Sequence, residues 1–200
     1  MRAAIVLGSA PCVHDDLERA LELYPGAFLI AVNGACTIVE NIGAMVAGHT
    51  SKAPAFVKAR REAFPDLALP ECWANWALPV ARHPERRYPV KEYPQVTRWF
   101  DATHSLGATS ASKAAKMALT AGFGPVILAG CPLDDSGYDF ADARVKHEAG
   151  CKRVGDPKWN AHKTILRYRE AMRKLAESEF KGKVFSMSGF TREVLGAPCR

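Results

Sequence analysis

Short apolar runs recur along the chain, separated by stretches with a helical spacing of apolar positions. The runs are Ala3–Leu7, Phe28–Val32, a weaker "AMVAG" at Ala44–Gly48, Val126–Ala129 and Val184–Ser186. Helical patterns cover Asp15–Leu23, Ser51–Ala63, Ser110–Ala121 and Lys163–Ser178. Short strands that are apolar throughout, alternating with helices, predict an α/β domain: a mostly parallel sheet with helices on both faces. Two segments break the rhythm. Residues 64–101 carry prolines at 65, 70, 79, 84, 89 and 94, interleaved with Trp73, Trp76 and Trp99. This segment reads as a packed irregular insertion, with a short strand at "CWANWAL". Residues 134–161 follow the strand "VILAG", are rich in Asp, Gly, Lys and His, and suit a lid over a ligand site at the sheet's carboxyl edge.

Composition changes this picture little. A chain of 200 residues, 48% hydrophobic and 24% charged, fits one globular domain spanning 1–200. No apolar run approaches the roughly 20 residues of a membrane-spanning helix. The first apolar run is about five residues, short of the roughly 7–15 of a secretory leader, so a buried strand and a cytoplasmic placement are expected. The six cysteines show no CxxC pairing and are expected to be reduced. The formal charge of +6 favours anionic partners: nucleotide phosphates, acidic glycans or nucleic acid. The basic stretches "KARR", "ARHPERRYPVK" and "HKTILRYREAMRK" are equally readable as solvated surface.

Four places can carry chemistry. In "LGSAPC", Gly8, Ser9 and Ala10 follow the first strand, where free N–H groups at a helix start can hold a phosphate. A tight strand-to-helix turn is the alternative, since neither GxGxxG nor a Walker loop is present. Asn33 directly follows the second strand, where its amide can meet a ribose or base; Asn-Gly is also a turn pair. Thr109 and Ser110 open a helix, with Ser110 a candidate N-cap, and Gly130 closes the strand that follows it. His162 starts a helix at the end of the lid and is able to transfer protons near neutral pH, or is structural. Lys163, Arg167, Tyr168 and Arg169 lie close by and can face an anionic substrate. Familiar hydrolase motifs are absent, and a carboxylate metal site would require Asp134, Asp135 and Asp139 to converge.

In this order the elements resemble the bacterial sialyltransferases that use CMP-sialic acid, and the related Rossmann-like family of archaeal-type 6-hydroxymethylpterin pyrophosphokinases. The matching residues are Gly8-Ser9-Ala10-Pro11-Cys12, Asn33, Thr109-Ser110-Ala111, "ALTAGFGPVILAGCPLD", His162 and "KVFSMSGFTREVLGAP". The departures are Ala10 and Ala111 for glycine, Cys12 for serine, and the missing basic residue ahead of Thr109. The resemblance implies a Rossmann-like fold and metal-independent transfer from a CMP-sugar to a hydroxyl, on a glycan or other acceptor. It implies His162 as general base and Tyr138 as the lid tyrosine stabilising the departing phosphate. Gly8, Ser9, Ala10, Asn33, Thr109, Ser110 and Gly130 would then line the nucleotide pocket, and assembly as a symmetric homo-oligomer is expected. Two alternatives stay open: an ATP- and Mg²⁺-dependent pyrophosphokinase using the lid aspartates, and a non-catalytic nucleotide- or nucleic-acid-binding module.

Overall fold

The computed structural model describes residues 1–75, 93–100, 109–134 and 161–199, with the backbone alone for 161–164. Strands β1 (Ala4–Leu7), β2 (Phe28–Val32), β3 (Ala44–Val46), β4 (Glu71–Asn75), β5 (Arg98–Phe100), β6 (Val126–Ala129) and β7 (Val184–Ser186) form one sheet in the order β5-β4-β3-β2-β1-β6-β7. Every pairing is parallel. The helices are α1 (Val13–Leu23), α2 (Ala53–Ala63), α3 (Ser110–Thr120), α4 (Ala161–Glu177) and α5 (Gly189–Leu195).

The central strands β1 and β6 are buried at every position, as unbroken apolar runs should be when both faces of a parallel sheet are covered. Their side chains alternate between two cores. Ala4, Val6, Val126 and Leu128 pack with Ala114, Ala115, Met117 and Ala118 of α3 and Met172 and Leu175 of α4. Ile5, Leu7, Ile127 and Ala129 face Val13 and Ala20 of α1 and Ala53 and Phe56 of α2. Each of the large aliphatic side chains contributes about 1.5–3 kcal/mol by burial. Among the described residues, no helix is long and apolar enough to cross a membrane.

The expected strands recur within a residue or two, and the strand expected in "CWANWAL" is β4. The rest of the 64–101 segment departs from expectation. It adds a further strand, β5, so described parts of the insertion extend the sheet as its outer edge. Arg98–Phe100 opens on an exposed charged residue and forms no apolar run, which is why it left no signal. Trp73, 1% exposed, anchors this edge: its ring lies 5.9 Å from that of Phe28 and 5.0 Å from that of Phe100. Helix α5, seven residues long, was likewise not expected from the pattern.

Helix α1, the first helix after β1, packs on one face of the sheet, and α4, the first described helix after β6, on the other. Adjacent β1 and β6 therefore form the topological switch point, and the carboxyl ends of the strands there are the usual place for a ligand. The expected lid lies outside the described residues between 135 and 160.

Candidate functional site

The loop after β1 is fastened to the loop after β6. Gly8 donates its N–H to the Ala129 carbonyl at 2.8 Å, and Ala10 to the Gly130 carbonyl at 3.2 Å. A Cβ on Gly8 would stand 2.2 Å from the Gly130 oxygen, so only glycine permits this approach. Gly130 itself has φ +65° and lies against Val13. Two amides of the expected phosphate cradle are thus engaged by carbonyls, and Ser9 is buried. This stretch serves as a rigid wall.

That wall is held by Asp16, a residue whose role the sequence reading missed. Its carboxylate is fully buried and accepts hydrogen bonds from the Gly130 N–H (2.9 Å), Ser188 Oγ (2.6 Å), Cys12 Sγ (3.5 Å) and Arg19 Nη2 (2.8 Å). One side chain therefore ties together the loops after β1, β6 and β7. Asp15 and Asp16 both lie in the first turn of α1, where a carboxylate suits the helix dipole. The overlooked signal is that Asp16 shares the apolar stripe of Val13, Leu17 and Ala20, where a carboxylate needs donors. Burial and the Asp16 charge push the Cys12 thiol above its ordinary pKa, although the Ser188 hydrogen bond opposes this.

A second gathering lies at the carboxyl ends of β2 and β3. Asn33 opens a short 3-10 turn (Asn33–Thr37) directly after β2, with φ +54°. Its Oδ1 accepts the N–H of Gly48, just beyond β3, at 2.8 Å. A Cβ on Gly48 would fall 1.9 Å from Ser110 Oγ and 3.2 Å from Asn33 Oδ1, so Gly48 is the point where β2, β3 and α3 meet. Thr109, not Ser110, is the N-cap of α3: its Oγ1 accepts the Ser112 N–H at 3.0 Å. With Thr109 as the cap, the hydroxyl of Ser110 is not spent on capping. Lys113, one turn along α3, donates to the Gly48 carbonyl at 3.3 Å, and burial lowers its pKa.

Asn33 and Ser110 are thus brought together through Gly48, while Gly8, Ala10 and Gly130 form a separate cluster. Both clusters lie on one edge. Leu7 pairs with Ala31 and Val32 with Val46, so the residues following β1, β2 and β3 emerge side by side. From β6 to β3 is three strand spacings, about 14 Å, room for a nucleotide. Helix α4 returns from β6 to the parallel strand β7, so it begins at this same edge, and His162 is its second residue. The His162 side chain and Tyr138 lie outside the described residues. Arg169 is committed elsewhere, donating to the Leu133 carbonyl at 2.8 Å and stacking over Phe190. Asp134 is described; Asp135 and Asp139 are not. An open cleft of about 370 Å³ on α2, lined by Pro54, Val57, Lys58, Arg61, Glu62 and Gln95, gathers none of these groups.

No protein-family model matches the chain, and no curated protein does. Solved structures do share its fold. The monofunctional alpha-2,3-sialyltransferase Cst-I from Campylobacter jejuni superposes with a TM-score of 0.67 at 13% identity, over 98% of this chain and 80% of that one. The Campylobacter jejuni sialyltransferase CstII, in complex with the substrate analogue CMP-3FNeuAc, gives 0.64 at 14% identity over 98% and 86%. A CstII variant in complex with CMP gives 0.64 at 12% identity over the same shares. At these identities the likeness establishes a fold held in common along nearly the whole chain, and it lends nothing to the pyrophosphokinase alternative.

Proposed function

We propose that the protein is a glycosyltransferase of the sialyltransferase type, taking a CMP-sugar as donor and passing the sugar to a hydroxyl of a glycan or other small acceptor. The observation that carries this reading is the convergence of Asn33, Gly48 and Ser110 at the carboxyl edge of a sheet shared with enzymes solved with CMP and a CMP-sugar analogue. Asn33 keeps its Nδ2 as a donor toward ribose or base while its Oδ1 holds Gly48. Ser110 and the amides of the first turn of α3 meet the phosphate. The Gly8–Ala10 wall, braced by Asp16, fixes the floor on which the donor rests.

His162, at the start of α4, is the proposed general base that takes the acceptor hydroxyl proton, and Tyr138 the group that steadies the departing phosphate. Transfer of radiolabelled sialic acid from its CMP donor to a panel of glycan acceptors tests the reading. Transfer is expected with a chelator present, and His162→Ala should lower it at least about a hundredfold while CMP affinity stays within about twofold. Full turnover in that variant removes His162 from the reaction. Failure of the wild-type protein to bind CMP or its sialic acid conjugate removes the donor assignment.

A further inference from the structure

Among the described residues around Gly48 the donors outnumber the acceptors. Lys113 is half-buried, and its ammonium spends one of three donor positions on the Gly48 carbonyl at 3.3 Å. Among the described residues no carboxylate pairs with it. Asn33 Oδ1 is already occupied by the Gly48 N–H, leaving the Asn33 amide nitrogen as a donor. Ser110 Oγ lies against the Gly48 Cα, and the Ser110 and Ala111 amides, at the very start of α3, have no acceptor within the helix. A partly desolvated cation is costly to keep, and part of that cost is recovered when an anion arrives. Burial lowers the Lys113 pKa.

We infer that Lys113, with Ser110, forms an oxyanion-holding subsite beside Asn33 that grips a phosphate or carboxylate oxygen of the donor. The inference rests on the CMP-sugar reading for the identity of the ligand, and on the Gly48 cluster alone for its anionic character. Here the cation stands one turn inside α3, on the same helix as the Thr109–Ser110 segment, so it reaches the edge without the basic residue that is missing ahead of Thr109. Lys113 is a binding residue; no proton transfer is assigned to it.

Calorimetric titrations of wild type, Lys113→Met and Lys113→Arg with cytidine, CMP, CMP-sialic acid and inorganic pyrophosphate test this. The methionine variant should bind CMP at least about tenfold more weakly and pyrophosphate several-fold more weakly, with cytidine affinity within about twofold. Arginine should restore most of the loss. The methionine variant should also melt no lower than wild type, because it removes a desolvated charge, and a merely structural lysine would not give that combination. A loss seen with CMP assigns the phosphate as the oxyanion; a loss confined to CMP-sialic acid assigns the carboxylate. Unchanged affinity of the methionine variant for CMP, CMP-sialic acid and pyrophosphate overturns the subsite while leaving the donor reading intact. Lys113-dependent pyrophosphate binding without any cytidine nucleotide binding would do the reverse. A wild type that binds none of the four overturns both.

Discussion

Asp16→Ala should cost more than any other single change at the switch point. The carboxylate is fully buried, and its Oδ2 alone accepts the Gly130 N–H, Ser188 Oγ and Cys12 Sγ. Removing it strands a buried backbone donor and a hydroxyl, each worth about 1–3 kcal/mol when left unpaired. The ion pair with Arg19 counts for little, because Arg19 is 53% exposed, and such pairs contribute at most about 1 kcal/mol. The expected loss for Asp16→Ala is about 3–5 kcal/mol. For a chain of this length that lowers Tm by roughly 6–20 °C. Asp16→Asn keeps an oxygen able to face Gly130 and Ser188 and should cost about half as much. Arg19→Ala should stay within about 1 kcal/mol of wild type. Urea unfolding of the three variants, monitored by far-UV circular dichroism, measures these differences. The reasoning fails if Asp16→Ala loses less than about 1 kcal/mol, or if Arg19→Ala loses as much as Asp16→Ala.

Two other buried groups make separate predictions. Arg60, 2% exposed, donates to the carbonyls of Cys36, Val39 and Glu40 and so pins the segment that starts at Asn33 to α2. Arg60→Met should destabilise by about 2–4 kcal/mol through stranded carbonyls and weaken CMP binding by displacing Asn33; denaturant titration and calorimetry read the two effects. Burial raises the Cys72 thiol from 9.0 to about 11. The unfolded chain then releases this proton before the native one does, so stability is full below pH 9 and falls as pH rises toward 11. The wild-type loss relative to Cys72→Ala across that window should be about 3 kcal/mol, measured by denaturant midpoints at each pH.

The sheet was legible because its inner strands are buried on both faces, which leaves unbroken apolar runs such as "AIVL" and "VILA" in the sequence. Strand β5 was not, because it opens on the exposed Arg98 and is held at the edge by the ring of Trp73 rather than by an apolar run of its own. The placement of Asn33 and Ser110 at the sheet's carboxyl edge was legible, since one follows directly from where a strand ends and the other from where a helix begins. Asp16 was hidden by its neighbour: two adjacent aspartates look alike in sequence, and the helical stripe decides which one turns inward. Nor does a sequence disclose which amides are already taken. Gly8 and Ala10 carry the expected small residues, yet their N–H groups serve the neighbouring loop. Gly48 and Lys113 went unread because their meaning comes from contacts 15 and 65 residues away along the chain.

The central claim is that a cytidine nucleotide binds at the edge formed by β2, β3 and the start of α3. Titration of uniformly ¹⁵N-labelled protein with CMP, followed by two-dimensional amide NMR, tests it most directly. Saturable shifts concentrated at Asn33, Gly34, Gly48 and Ser110–Lys113, with smaller ones at Ser9 and Gly130, are predicted. Saturable shifts at the α2 cleft of Val57, Arg61 and Gln95 instead, or no saturable shift at millimolar CMP, would contradict it.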